Sequence, residues 1–473
     1  MFLRQLYDEE LAQAAYLIGC QQTGEALVID PERDVDRYYK AAADNDLRIV
    51  AVAETHIHAD FVSGAREFSR DPNVTLYLSG LGGEDWSYTW PDGGTKVRYL
   101  QDGDTFAVGR VELEAVHTPG HTPEHLSYKI VDRGGGADEP LAIVTGDFLF
   151  VGDVGRPDLL ESAAGFVGKM KPSARTLRRS LSERVAPLPE FVQVLPGHGA
   201  GSACGKALGA IPSSTIGYEL RFNGALRLAT TNADRFVQEI LSGQPDPPLY
   251  FKRMKQVNRD GIEITGGPPQ LPKLTPDAFL SYAGRPNTVV LDARPDRHAF
   301  AAEHLEGSIC APMDGTSFSN AAGSFLGAEE TILLVLDGQH DLDPAARKLY
   351  RIGFDNLAGW ITFAELKAAG APLKRLEVVE FERFDPNSLP ADAVLLDVRG
   401  SAEYSEGRLP NAVNAPHTRI AERLDELPAD RRYFVHCASG RRAAITSSFL
   451  ESKHYRTVLV NGSGDDRFVR SVA

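Results

Sequence analysis

Residues 55–61 read T-H-I-H-A-D-F, placing His56, His58 and Asp60 at alternate positions directly after the apolar run I-V-A-V-A of residues 49–53. Ligands that follow the carboxyl end of a strand converge on one rim of a sheet, where layered α/β folds place their sites. Three more junctions of this kind follow. V-E-L-E-A-V (111–116) leads into His117 and His121 of H-T-P-G-H, L-A-I-V-T (141–145) into Gly146 and Asp147, and F-V-Q-V-L (191–195) into P-G-H with His198. Four strand ends that each deliver a ligand are not a random scatter of histidines, although a lone buried His is usually a satisfied core residue, and His117 is read that way. Phe61 occupies the position where a second metal ion would need another imidazole. What remains, His56, His121 and Asp147, is two imidazoles and a carboxylate with open positions, the set expected for non-haem Fe(II) oxygen chemistry.

A chain of 473 residues is expected to hold two to four domains. Its net charge of −15 argues against a nucleic-acid partner and against docking on anionic lipid. No run approaches the ~18 apolar residues of a membrane span, and the opening M-F-L-R-Q-L-Y-D-E-E turns acidic before a signal-peptide core could form. A cytoplasmic protein is the expectation. Cys20, Cys204, Cys310 and Cys437 are scattered without a C-x-x-C pair, so reduced thiols are expected rather than a disulfide framework.

Residues 261–272, G-I-E-I-T-G-G-P-P-Q-L-P, read as a linker. Beyond it the chain repeats: V-V-L-D-A-R (289–294) returns as V-L-L-D-V-R (394–399), and E-H-L-E-G-S-I-C-A-P (303–312) as E-G-R-L-P-N-A-V-N-A-P (406–416). Buried V/L/I strands followed by helical stretches predict a parallel sheet with helices on both faces in each copy. The expected domains are 1–260, 261–372 and 373–473.

H-x-H-x-D, H-T-P-G-H, T-G-D and P-G-H occur in the order found in the metallo-β-lactamase superfamily, and the first 260 residues resemble its persulfide dioxygenase branch. The resemblance implies an αββα sandwich and one Fe(II) per chain on His56, His121 and Asp147. His58, Asp60 and His198 would then be relics of a second metal site that orient the metal-bound groups by hydrogen bonds. G-R-P-D (155–158) also resembles this branch; Arg156 either anchors its loop by a bidentate salt bridge or binds an anionic substrate or product. Cys204, in a Gly-rich loop six residues after His198, is by itself as compatible with a structural role as with a reactive one. The resemblance implies a carrier of sulfane sulfur.

The D-V-R, the G-R-L-P-N-A and the loop H-C-A-S-G-R-R (436–442) resemble a rhodanese, or sulfurtransferase, domain. In such a loop the N–H groups of Ala438, Ser439, Gly440 and Arg441 would cradle an anion, and Arg442 with the following helix N-terminus would favour a thiolate at Cys437. A Cys-dependent phosphatase needs C-x5-R, but that position is Ala443, while Arg442 closes C-x4-R. In the first copy Asp337 stands where the nucleophile would be, so that copy is expected to be an inactive spacer or docking surface, with Cys310 in its core. The whole chain resembles persulfide dioxygenase–sulfurtransferase fusions. This implies small-molecule substrates (a thiol persulfide, O2, and sulfite or thiosulfate) and self-association into a homo-oligomer, and the sequence leaves the direction of sulfur transfer open. The competing readings are a zinc-dependent thioester hydrolase of the glyoxalase II type with an accessory rhodanese, disfavoured by Phe61, and a non-enzymatic sulfide-responsive protein, disfavoured by the intact triad and Cys loop.

Overall fold

Along the strand Gln13–Cys20, Ala14, Tyr16, Ile18 and Cys20 enter one apolar cluster while Ala15 and Leu17 enter another. Successive strand residues point to opposite faces, so this split means that both faces of the sheet are covered. In the computed structural model, which describes residues 1–159, 168, 170–315, 317–462 and 469–470, the chain divides into two compact units. The first comprises Met1–Gln244 and Phe251–Gly267, the second Pro245–Tyr250 and Pro268–Ala473.

The first unit holds two six-stranded sheets. One runs in chain order through β1 (Phe2–Asp8), β2 (Gln13–Cys20), β3 (Glu25–Ile29), β4 (Arg48–Ala53), β5 (Thr75–Ser79) and β6 (Val97–Leu100). The other contains β7 (Thr105–Val108), β8 (Val111–His117), β9 (Leu126–Asp132), β10 (Ala142–Gly146), β11 (Gln193–Pro196) and β12 (Ser214–Thr215). Leu27, Ala53, Leu113, Tyr128 and Val144 belong to the cluster between the sheets. Tyr38, Ala42 and Phe68 bring the helices Asp36–Ala43 and Ala65–Phe68 onto the outer face of the first sheet. On the second sheet, Ile143 and Val194 meet Leu177 of Met170–Ser180 and Phe236 and Ile240 of Ala233–Leu241. This last helix is started by Asn232, whose side chain accepts from the Arg235 N–H, and it buries residues four apart. Three apolar interlayers make the expected αββα sandwich. The strand ends at Ala53, His117, Gly146 and Pro196 are the ones read from the sequence as ligand-bearing.

The second unit contains the repeat. Its first sheet has β13 (Thr288–Asp292), β14 (Ile309–Cys310), β15 (Thr331–Leu336) and β16 (Leu357–Thr362) in the order β14-β13-β15-β16, all parallel. The second sheet has β17 (Val378–Glu380), β18 (Ala393–Asp397), β19 (Val413–Asn414), β20 (Arg432–His436) and β21 (Arg456–Asn461) in the order β19-β18-β20-β21-β17, again parallel. Leaving out β17, the two orders superpose copy on copy. The repeated D-x-R has a structural explanation. Asp292 and Asp397 end their strands inside the core, and Arg294 and Arg399 return to them through Nε and Nη2 at 2.7–3.1 Å. Each arginine also donates to a carbonyl downstream, Glu303 or Gly407, tying the strand end to the segment that leads to the next strand. Among the described residues no helix is long and apolar enough to cross a membrane.

Removing one partner of such a buried pair leaves an uncompensated charge, which costs about 3–5 kcal/mol. Arg399→Ala is therefore expected to lower the urea midpoint of the second unit sharply; a loss below about 1 kcal/mol would show that Asp397 does not depend on it.

Candidate metal centre and cysteine loop

His56, His121 and Asp147 arrive from three strand ends, and one ligand atom of each lies within 4.8 Å of the others. All three side chains are buried. Local hydrogen bonds decide which ring nitrogen faces inward. Thr55 donates its hydroxyl to Asp30 Oδ2 at 2.7 Å, so it accepts from His56 Nδ1 at 2.9 Å and leaves Nε2 turned to the centre. His121 Nδ1 lies 3.0 Å from the Arg156 carbonyl, which can only accept, so its Nε2 is also presented. Asp147 Oδ1 meets His198 Nδ1 at 2.7 Å, while Oδ2 points toward His121 Nε2, 3.8 Å away. His56 Nε2 and Asp147 Oδ2 are buried and make no hydrogen bond. Burial, reinforced at His56 by the neighbouring imidazoles, holds the pKa of both histidines below the usual range, so both are neutral. Two neutral imidazoles and a carboxylate with inward lone pairs lacking partners are a donor set that fits a divalent metal.

The three other histidine-loop residues do not join the triad. His58 Nε2 sits 3.2 Å from both Asp30 Oδ1 and Glu54 Oε2. Burial opposes its charge, but those carboxylates outweigh burial and push its pKa well up. Its ring packs on Phe61, with centroids 4.3 Å apart. His198 bridges Asp147 and Asp60, 2.7 Å from each, and groups with Cys204. Burial, then the Asp60 and Asp147 carboxylates, push the Cys204 thiol well above its ordinary range, so its surroundings hold it protonated. Arg156 makes the bidentate pair with Asp158 and also donates to the Ala203 carbonyl at 2.9 Å, which fastens the loop carrying Cys204. Gly146, at φ +48°, has no room for a side chain: a Cβ would lie 2.5 Å from Thr55 Oγ1 and 2.9 Å from His125 Nε2.

In the second unit Cys437 follows β20 and is buried at the start of the loop that ends in the helix Arg441–Ser452. Gly440 closes the loop at φ +82°, where a Cβ would meet Asn461 Oδ1 at 2.6 Å. Arg442 is held by both oxygens of Glu403, and Arg441 Nη2 lies 3.0 Å from Asp314 Oδ2. The two loop arginines thus each have a carboxylate partner instead of an unshared charge.

Against known families, residues 8–198 match the model of the metallo-β-lactamase superfamily and residues 385–465 that of the rhodanese-like domain. A probable metallo-hydrolase of Burkholderia pseudomallei is 30% identical over 260 residues, 50% of this chain and 83% of that protein. The chain belongs to the metallo-β-lactamase superfamily. A solved metallo-β-lactamase structure from Staphylococcus aureus is 38% identical, covers 76% of this chain and 98% of that one, and superposes with a TM-score of 0.66. The mitochondrial persulfide dioxygenase ETHE1 of Bos taurus is 28% identical over 202 residues, 42% of this chain and 68% of that protein.

Sequence reasoning missed several groups at the metal centre and at the cysteine loop. His125 stacks on His56 with centroids 5.1 Å apart, and the signal was present, because H-T-P-x-H runs twice, over 117–121 and again over 121–125. Asp30 and Glu54 carry no local signal, since each acts on residues that chain pairing brings to it. His417, beside Arg442, was also not foreseen; its buried Nδ1 has no hydrogen-bond partner.

Three measurements check these assignments. Asp147→Ala is expected to leave a folded protein with almost no bound metal by elemental analysis. Thr55→Val, which breaks the support behind His56, should weaken metal affinity about 10–100-fold. Burial, then the Arg442 guanidinium, lower His417 to about 3, and burial lowers His436 to about 4. Both stay neutral in the fold while the unfolded chain takes up protons below its histidine pKa of about 6.5. Their stabilisation is therefore complete above about pH 6.5 and declines as pH falls toward 4, each by up to about 1.4 kcal/mol per pH unit. Thermal melts of His417→Gln should flatten that decline, and an unchanged slope would refute the assignment.

Proposed function

We propose that the protein is a non-haem iron persulfide dioxygenase coupled to a sulfurtransferase, acting in sulfide detoxification. The observation that carries this reading is the buried cluster His56–His121–Asp147, with the buried phenyl ring of Phe61 next to Asp60, on the same chain as a Cys437 loop in a rhodanese-like domain. A ferrous ion on the triad would supply O2 chemistry at its open positions. The balanced conversion is R-S-S⁻ + O2 + H2O → R-SH + SO3²⁻ + H⁺. The chain's own residues select and exclude: His56 and His121 present neutral nitrogens, and the buried Asp147 balances metal charge while the His198 N–H orients it. Phe61 supplies no ligand beside Asp60 for a second ion. Arg156 acts as the anchor of the Cys204 loop, and Cys204 is the candidate sulfur carrier at the rim.

We read residues 373–473 as the active rhodanese module and residues 261–372, of which 261–267 belong to the first unit, as the module that lacks a nucleophile. Cys437 takes up sulfane sulfur as Cys-S-S⁻ within the N–H groups of Ala438, Ser439, Gly440 and Arg441, and passes it to sulfite to give thiosulfate, or runs the reverse. The cell compartment that fits a reduced iron centre and four free cysteines is the cytoplasm. The Burkholderia relative's name, a probable metallo-hydrolase, favours a second reading, a metal-dependent hydrolase at the same ligands. Metal analysis with an O2 electrode separates the two: iron with persulfide-dependent O2 uptake supports the dioxygenase, zinc with thioester cleavage and no uptake overturns it. Cys437→Ser is expected to abolish sulfur transfer while O2-dependent sulfite release continues, and loss of both would refute the division between units.

A further inference from the structure

We propose that Arg297, which belongs to the copy without a nucleophile, is a positioning and specificity residue of the Cys437 loop, supplying the charge that recruits its dianionic sulfur substrate. The inference rests on the sulfurtransferase reading above. Arg441 and Arg442 are each paired with a carboxylate, Asp314 and Glu403. Arg297 is different. Its Nη1 donates to Asn461 Oδ1 at 2.7 Å and its Nη2 to the Ser439 carbonyl at 3.2 Å, and among the described residues no carboxylate pairs with it. Asn461 cannot turn away, because its Nδ2 donates to both oxygens of Glu380 at 3.0 and 3.2 Å. The same Oδ1 crowds Gly440. Arg297 is therefore wedged against the Ser439–Gly440 peptide by a fixed partner.

Its contact has a geometric effect as well as an electrostatic one. A trans peptide places its C=O and N–H on opposite sides. Holding the Ser439 carbonyl toward Arg297 turns the Gly440 N–H to the other side, away from the guanidinium. The seam that carries Arg297 is built, not a chance approach of a long side chain. The Ser448 hydroxyl accepts from the Cys310 N–H at 2.9 Å, and Phe325 stacks on Phe449 at 4.3 Å, so the helix after the Cys437 loop is seated on the other copy. A spacer would need that seam but not a guanidinium with neutral partners beside the loop.

In the half-reactions, the Cys437 thiolate attacks the outer sulfur of thiosulfate. The new S–S bond forms as the thiosulfate S–S bond breaks, and sulfite departs with the electron pair. Cyanide then attacks the outer sulfur of Cys-S-S⁻, giving thiocyanate and regenerating the thiolate. Thiosulfate is the dianion in this sequence, so Arg297 acts on its binding.

The test is thiosulfate–cyanide sulfur transfer by the full-length protein at low and high salt, with persulfide-dependent O2 uptake as an internal control. Arg297→Ala and Arg297→Gln are each expected to raise the thiosulfate KM about tenfold or more at low salt. The cyanide KM and O2 uptake should stay unchanged, and the difference should shrink as salt screens the charge. Arg297→Lys should restore most of the lost affinity. The glutamine variant keeps a neutral donor on a shorter side chain, so it remains informative if the alanine variant does not fold. A wild-type thiosulfate KM in both neutral variants overturns the proposal, as does a lysine variant no better than glutamine. A wild-type protein that transfers no sulfur overturns the sulfurtransferase reading first, and the two failures are thereby told apart.

Discussion

Asp30 organises the metal rim without touching the triad. It sits at the end of β3, buried, and both of its oxygens are committed: Oδ1 to the Thr55 N–H, Oδ2 to the Thr55 hydroxyl, with His58 Nε2 also at Oδ1. Through Thr55 it sets the tautomer of His56, and through His58 it draws a potential metal ligand to the opposite side. A buried carboxylate is costly unless its lone pairs are used, so this arrangement holds only while β3 and β4 stay in register. The separation of His58 from the His56–His121–Asp147 cluster follows from that pairing.

The strand ends were legible because apolar runs that stop at a polar cluster have few other interpretations. The triad was legible because each member terminates such a run, and the repeat because D-x-R recurs with its flanking strands. What stayed hidden lies in pairs far apart in sequence. Glu54 and Asp30 are acids after strands, like many others, until the sheet brings them to His58. Arg441 and Arg442 look like free charges in a short loop; their partners Asp314 and Glu403 are 127 and 39 residues away. Arg297 lies in a helix of the other copy with nothing near it in the chain to mark it. His125 is the exception, a visible motif whose second turn went unread.

The two copies share a strand order but differ at the loop that follows β15 and β20. Sheet register aligns Leu336 of the first copy, and not the Asp337 expected from the sequence, with Cys437 of the second, yet the Asp292–Arg294 pair is built like Asp397–Arg399. In both copies the Asp–Arg pair and the parallel sheet hold the strands, whatever residue opens the loop.

The helix Arg441–Ser452 is buried all the way from Ala443 to Leu450. A surface helix has a wet side; this one is covered on every side, by its own sheet and by the neighbouring copy. Snipping the chain between the copies would strip one flank of that rod and present Phe449 to water. The last hundred residues are thus less a detachable cassette than one half of a shell, whose other half is the neighbouring copy.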